Sequence, residues 1–233
     1  MDDHPQTAEN PGRSDVVIAI DGTSGSGKSS TSRGVASRLG LRYLDTGAMF
    51  RAMTWWMLSH DVDVQDPEAM AERADEPVLE SGTDPQAPTI TVDGRDVSVE
   101  IRGADVNAAV SPVSAVPEVR ARLLERQRAI IAGGGIVVEG RDIGSVVWPE
   151  AEVKVFLTAD PAARAARRAA EEGGSDVEVT RASLEARDRI DSSRATAPLV
   201  MADGAVHVDG THLSLEQVIE TIVALVPTGE HLS

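Results

Sequence analysis

The chain has 233 residues, 41% of them apolar and 26% charged, which suits one large domain or one domain carrying a small insert and excludes wholesale disorder. Lys and Arg number 22 against 38 Asp and Glu, a net charge of −16 that argues against nucleic acid as a partner. With no cysteine, disulfides, thiolate catalysis and cysteine–zinc sites are excluded, and no apolar run approaches the roughly 18 residues of a membrane span.

Residues 1–14 are polar, with no apolar core and no basic start, so a disordered tail is expected rather than a secretory signal, and a cytoplasmic location follows. The run VVIAI (16–20) is short and continuously apolar, as in a strand buried on both faces. A glycine-rich segment, Asp21 to Ser29, leads into a helix over 28–39, a short strand over 41–44 and a strongly apolar helix over 48–60. From Asp61 onward Pro, Asp and Glu become frequent. Two alternating runs, 89–92 and 97–101, flank Asp93-Gly94 and read as a β-hairpin, so a β-rich insert is expected over 62–105. Helix resumes after Pro117 and stops at Gly133-Gly134-Gly135. Strands follow at 136–139 and 153–157. Asp160-Pro161 opens a helix to about 172, Gly173-Gly174 breaks it, and residues 177–190 are helical again. A fifth strand over 205–208 and a closing helix over 214–226 complete an α/β pattern. It implies a five-stranded parallel sheet flanked by helices, with a core of residues 15–61 and 106–228.

Residues Gly22-Thr23-Ser24-Gly25-Ser26-Gly27-Lys28-Ser29 match the phosphate-binding loop G-x-x-x-x-G-K-[ST], set between a strand and a helix as its mechanism requires. Glycines let backbone N–H groups wrap a phosphate, and the helix start presents its positive end. Lys28 reaches the outer phosphates, the Ser29 hydroxyl is placed for Mg²⁺, and Ser30 completes the expected ATP cradle. Neither lysine lies in an Asn-Lys-x-Asp guanine reader, and the strand ending Val137-Val138-Glu139 lacks the Asp-Glu of a motor protein.

Twenty of the 22 basic residues are arginine, whose planar fork grips phosphate bidentately. Ligands of open parallel sheets sit beyond the carboxyl ends of the strands. Asp45-Thr46-Gly47 with Arg51, and Gly140-Arg141-Asp142, leave strand ends on the edge that carries the P-loop. Arg164, Arg167 and Arg168 share a helix face, as do Arg187, Asp191 and Arg194. These faces, within residues 160–194, read either as an arginine-bearing lid hinged at Gly173-Gly174 or as a salt-bridged surface hairpin. By pattern alone Asp142 reads as an N-cap of the following helix, and Arg120 as a surface partner of Glu118 or Glu125.

Together, IAIDGTSGSGKSS, LDTGAMFR, SPVSAVPEVR, EGRDIGSVVWP and RDRIDSSRATAPL resemble the bacterial cytidylate kinases, nucleoside monophosphate kinases of the P-loop group, across about residues 16–226. The resemblance implies a three-layer P-loop fold with a β-rich monophosphate-binding insert and a short lid. It also implies phosphorylation of CMP and dCMP by ATP with Mg²⁺. Thr46, Arg51 and Arg141 would hold the acceptor phosphate, Ser111, Arg120 and Asp142 the cytosine edge, and Asp191 the sugar. Arg187 and Arg194 would lie over sugar and phosphate, and Arg164 in the lid near the donor. Ile190 and Ser192 stand where some relatives carry arginine. The expected partners are ATP and CMP or dCMP alone, without nucleic acid or membrane, and the expected state is a monomer. Another small-acceptor P-loop kinase, or a nucleotide-binding regulator without phosphotransfer, are the competing readings.

Overall fold

The computed structural model describes residues 15–171, 174 and 176–227. The tail over 1–14 and Gly173 of the expected hinge lie outside the described residues.

Five parallel strands form the central sheet in the order β2-β6-β1-β7-β8. They are β1 (Val17–Gly22), β2 (Arg42–Asp45), β6 (Ile136–Gly140), β7 (Val153–Thr158) and β8 (Val206–Asp209). β1 sits in the middle because both its faces are apolar and every one of its residues is buried. Its alternate side chains separate two cores. Ile18 and Ile20 pack with Val35, Leu39, Leu157 and Ile222, under α1 (Lys28–Leu39) and α8 (Leu215–Val223). Val17 and Ala19 face Met49, Met53, Leu123 and Ile131, from α2 (Thr46–Ser59) and α5 (Pro117–Ile131). Gly34 lets α1 and α8 approach, since a Cβ there would lie 2.2 Å from Ile219 Cδ1.

The strand residues Gly22, Asp45 and Gly140 end three parallel strands, so the segments after them open on one edge as expected. The Asp93-Gly94 turn forms with φ of 51° and 79°, the left-handed pair of a tight hairpin. Its second arm is shorter than the alternation suggests. β5 (Arg95–Asp96) has two residues, Val97 turns into the core, Val99 is exposed, and Ile101 lies in a 3-10 turn. The hairpin gains a third strand, β3 (Leu79–Ser81), beside β4 (Ile90–Val92), and α3 (Pro67–Glu72) precedes both. Leu79, Ile90, Val92, Val97 and Ile101 cover the apolar side of α2 and share its core. A further helix that the sequence reading did not assign, α4 (Ala104–Val113), also packs on α2 and carries Pro112 near its end.

Toward the C-terminus, α6 (Pro161–Glu171) and α7 (Val177–Ser193) pair. α7 extends past the expected end at 190. Asp191 is therefore helical, and Arg194 sits at the C-cap.

Candidate active site

A cavity of about 480 Å³ lies along the carboxyl edge of the sheet, bounded by the P-loop, the starts of α2 and of the segment after β6, and helices α4 and α7. At one end is the glycine loop. Gly27 caps α1 with φ 89°, a conformation open to glycine, and the first amides of α1 have no acceptor within the helix. Lys28 is buried, and its Nζ donates to the Thr23 carbonyl at 2.6 Å. Burial and the nearby Arg141 hold its pKa below the usual lysine range. A phosphate entering the loop offsets both effects, so Lys28 is set to strengthen its charge on binding.

Glu139, the last side chain of β6 before Gly140, stands directly beneath. Its Oε2 accepts from Ser29 Oγ at 3.1 Å, and its Oε1 accepts from the Tyr43 hydroxyl. Burial and the neighbouring Asp45 raise its pKa. Sequence reading passed over Glu139 because it does not match the motor-protein pattern. Pairing β6 next to β1 is what brings it to the P-loop serine. Ser29, Glu139 and Asp45 form an all-oxygen set beside the phosphate loop. That donor chemistry fits Mg²⁺, which takes one or two carboxylates together with substrate phosphates and waters. Among the described residues no group of three or more carboxylate or imidazole ligands forms a site independent of the nucleotide.

Arginines dominate the middle of the cavity. Arg51 Nη1 donates to Asn107 Oδ1 on α4 at 2.5 Å, and burial with neighbouring Arg187 pushes its pKa down to about 10. Arg187 is lowered by burial and by Arg141. Arg141 Nε donates to Asp191 Oδ2 at 2.9 Å. Arg194 is the most telling. Its side chain is 6% exposed, Nη1 lies 3.7 Å from Asp191 Oδ1, and both Nε and Nη2 are buried without an acceptor among the described residues. Neighbouring arginines repel one another, and buried guanidinium N–H groups without acceptors are costly, so the cluster is built for an anion. Thr46 also lines the cavity, but its hydroxyl proton goes to the Glu139 carbonyl at 2.7 Å, tying α2 to β6.

The far end holds Arg120 and Asp142, 8% and 5% exposed, paired at 2.5 Å. Arg120 also donates to the Ser114 carbonyl at 3.0 Å and lies 5.2 Å from the centre of the Phe50 ring. Arg120 is therefore no surface partner of Glu118 or Glu125. Nor does the Asp142 side chain cap the π-helical turn Ile143–Val147 that follows it. Asp21 does that work: its two carboxylate oxygens accept from the amides of Ile143 and Gly144, each at 2.8 Å. Asp142 is thereby left to face Arg120 and the cavity. Burial pushes the Asp21 pKa up to about 6, against the opposing pull of the two amides. Ser111 lines the same end from α4.

Of the expected lid residues, Arg164 lies against the P-loop, donating to the Ser24 carbonyl at 2.8 Å and to Asp188 at 2.5 Å. Arg167 donates to the Gly210 carbonyl at 2.6 Å, and both Arg167 and Arg168 border the cavity. On the outer face, Arg181 pairs with Glu178 and Glu185, as the surface hairpin reading expects. Ile190 and Ser192 are exposed and do not line the cavity. Asp21, Glu139, Asn107 and Asp188 were not singled out from sequence. For Asp188 the available signal was its place three residues before Asp191, on the arginine-rich α7.

A family model described as cytidylate kinase matches residues 18–228. A cytidylate kinase of Streptomyces griseus is 61% identical over 216 residues, 92% of this chain and 94% of that protein. One from Nocardia farcinica is 50% identical, covering 91% and 93%. A phosphate loop, an arginine cluster and a buried Arg–Asp pair share one cavity in a chain that matches these relatives almost end to end, and the chain belongs to the cytidylate kinase family.

Proposed function

We propose that the cavity brings MgATP and CMP or dCMP together, each at its own end, for direct transfer of the γ-phosphoryl group. The activity is ATP-dependent phosphorylation of CMP and dCMP to CDP and dCDP. The observation that carries the division of the cavity is the buried Arg120–Asp142 pair, which lines it from α5 and the segment after β6 and not from the P-loop. Cytosine presents an N4 amino donor beside the N3 and O2 acceptors. Asp142 accepts from the amino group, while Arg120 and Ser111 donate to the acceptors. Uracil places an oxygen where the amino group should be, which leaves the carboxylate facing an acceptor.

At the donor end, the loop Gly22–Ser30 holds the ATP phosphates through the amides that follow Ser24 and the first turn of α1, with Lys28 on the outer ones. Ser29, with Glu139 as its hydrogen-bond partner, would hold Mg²⁺, which would supply Lewis-acid charge neutralisation when bound. Arg51, Arg141, Arg187 and Arg194 hold the acceptor phosphate, bounded by Thr46, and Asp191 meets the sugar. The phosphate oxygen of CMP is already ionised near neutral pH and attacks the γ-phosphorus in line, so no general base is needed. Alignment, a dry site and positive charge supply the rate. Arg164 and its neighbours on α6 act as the lid side of the donor site, excluding water that would hydrolyse ATP. The enzyme works as a monomer in the cytoplasm, without a nucleic-acid partner. Among the described residues no helix is long and apolar enough to cross a membrane.

A screen of nucleoside monophosphates with ATP tests the assignment. CMP and dCMP should be the preferred acceptors. Equal use of AMP or UMP would overturn the base-reading roles, and nucleotide binding without any transfer would favour a regulatory protein.

A further inference from the structure

Ser24 is the third residue of the P-loop motif and 4% exposed. Its polar groups are engaged by three side chains from outside the loop. The N–H donates to Asp188 Oδ1 at 2.8 Å, the carbonyl accepts from Arg164 Nη1 at 2.8 Å, and Oγ accepts from Arg141 Nη2 at 2.8 Å. Arg164 and Asp188 pair with each other and close a ring around the Ser24 peptide. An amide already committed to a carboxylate is a poor phosphate donor. The motif's usual logic therefore stops short of this residue.

The hydroxyl contact has a clear mechanical effect. Arg141 carries a rigid planar guanidinium. Asp191 anchors its Nε at 2.9 Å and Ser24 anchors its Nη2, and two anchors fix the plane of the fork. Its Nη1 has only a 3.3 Å bond to the Gly140 carbonyl, the weakest of the three contacts, so the free end of the fork is the one left for an anion. The anchor point is a residue of the donor loop. The acceptor-side arginine is thus indexed directly to the loop that holds the donor.

We infer that Ser24 is a positioning residue of the acceptor site: its hydroxyl orients Arg141 so that the acceptor phosphate lies in register with the P-loop. The inference rests on the reading that Arg141 holds the acceptor phosphate. In an in-line transfer, small errors in this register cost rate as well as affinity.

Calorimetric titration of full-length wild type, Ser24→Ala, Arg141→Ala and the double variant tests it, with CMP and a non-hydrolysable ATP analogue titrated separately. Ser24→Ala should raise the Kd for CMP by about 5- to 10-fold, the size of one ordinary hydrogen bond, since the lost contact acts through Arg141, and shift the ATP-analogue Kd by less than about twofold. Steady-state assays should show the same split in KM together with a lower kcat. In the Arg141→Ala background, Ser24→Ala should have no further effect on CMP, because the partner it orients is gone. Equal weakening of both ligands would make Ser24 an ordinary cradle residue and overturn the inference. So would unchanged CMP binding, or full additivity with Arg141→Ala. Wild-type protein that binds no CMP would instead overturn the acceptor-site reading itself, which separates the two failures.

Discussion

On the proposed division, the two ends of the cavity recognise their ligands by different means. The donor end is one continuous stretch, Gly22–Ser30, and works mainly through backbone amides and the start of α1. The acceptor end gathers Arg51 from α2, Ser111 from α4, Arg120 from α5, Arg141 and Asp142 after β6, and Arg187, Asp191 and Arg194 from α7. Backbone recognition is insensitive to most side-chain changes but indifferent to what the phosphate is attached to. Side-chain recognition distinguishes one base from another, and each of its members needs its own support. Arg120 is held by Ser114, Phe50 and Asp142, and Arg51 by Asn107.

The largest effect should come from Lys28 at the donor end. Lys28→Ala should lower kcat by about three orders of magnitude, as expected when a charge aimed at the transferring group is lost. Thermal unfolding should show an intact fold, since Lys28 supports no apolar packing. Near-normal turnover of the folded variant would remove Lys28 from the mechanism.

At the acceptor end, Arg51→Ala should raise KM for CMP by about 10- to 100-fold and leave KM for ATP within a few-fold, because the lost contact is one charged group's hydrogen bonds to one ligand. Equal shifts for both substrates would mean that the two ends are wrongly divided.

A finer distinction is expected at Asp142. Replacement by Ala should narrow the CMP to UMP ratio of kcat/KM by one to two orders of magnitude, roughly 1.4–2.8 kcal/mol. Part of any stability loss comes from leaving Arg120 buried without its partner. If the ratio stays at the wild-type value while stability falls, Asp142 only balances Arg120 and does not read the base.

The smallest effect on activity concerns Asp21, whose carboxylate holds the amides of the turn after Asp142. Its pKa is raised to about 6 from an ordinary 3.8, so the folded state binds this proton more tightly than the unfolded chain. Its contribution to stability is full below about pH 4 and declines as pH rises through 6, by at most roughly 3 kcal/mol. Asp21→Asn should remove that decline. The difference in stability between variant and wild type, measured from pH 4 to 7, should shift in favour of the variant as pH rises. A constant difference would place the Asp21 proton elsewhere. The same substitution replaces an accepting oxygen facing an amide with an NH₂ group, and should loosen the turn after Asp142 enough to raise KM for CMP by a few-fold.

The sequence alone determined what depends on local pattern. The glycine spacing and Lys28 defined the donor loop, because a phosphate cradle is made by neighbouring residues whose φ values glycine permits. Buried runs alternating with helices defined the parallel sheet, and the edge to which Gly22, Asp45 and Gly140 deliver their segments followed from it. Resemblance, more than pattern, supplied roles for Arg120 and Asp142, which by spacing alone were a surface charge and a helix cap. Only the tertiary structure set aside the cap and the surface charge, because the cap of the turn after Asp142 comes from Asp21, 122 residues earlier in the chain, and Arg120 is buried against Asp142. Glu139, Asn107 and Asp188 were illegible for the same reason. Each acts on a partner 110, 56 or 164 residues away. A buried polar group takes its meaning from the hydrogen-bond partner it meets, and that partner is chosen by strand order and helix packing, not by its neighbours in the chain.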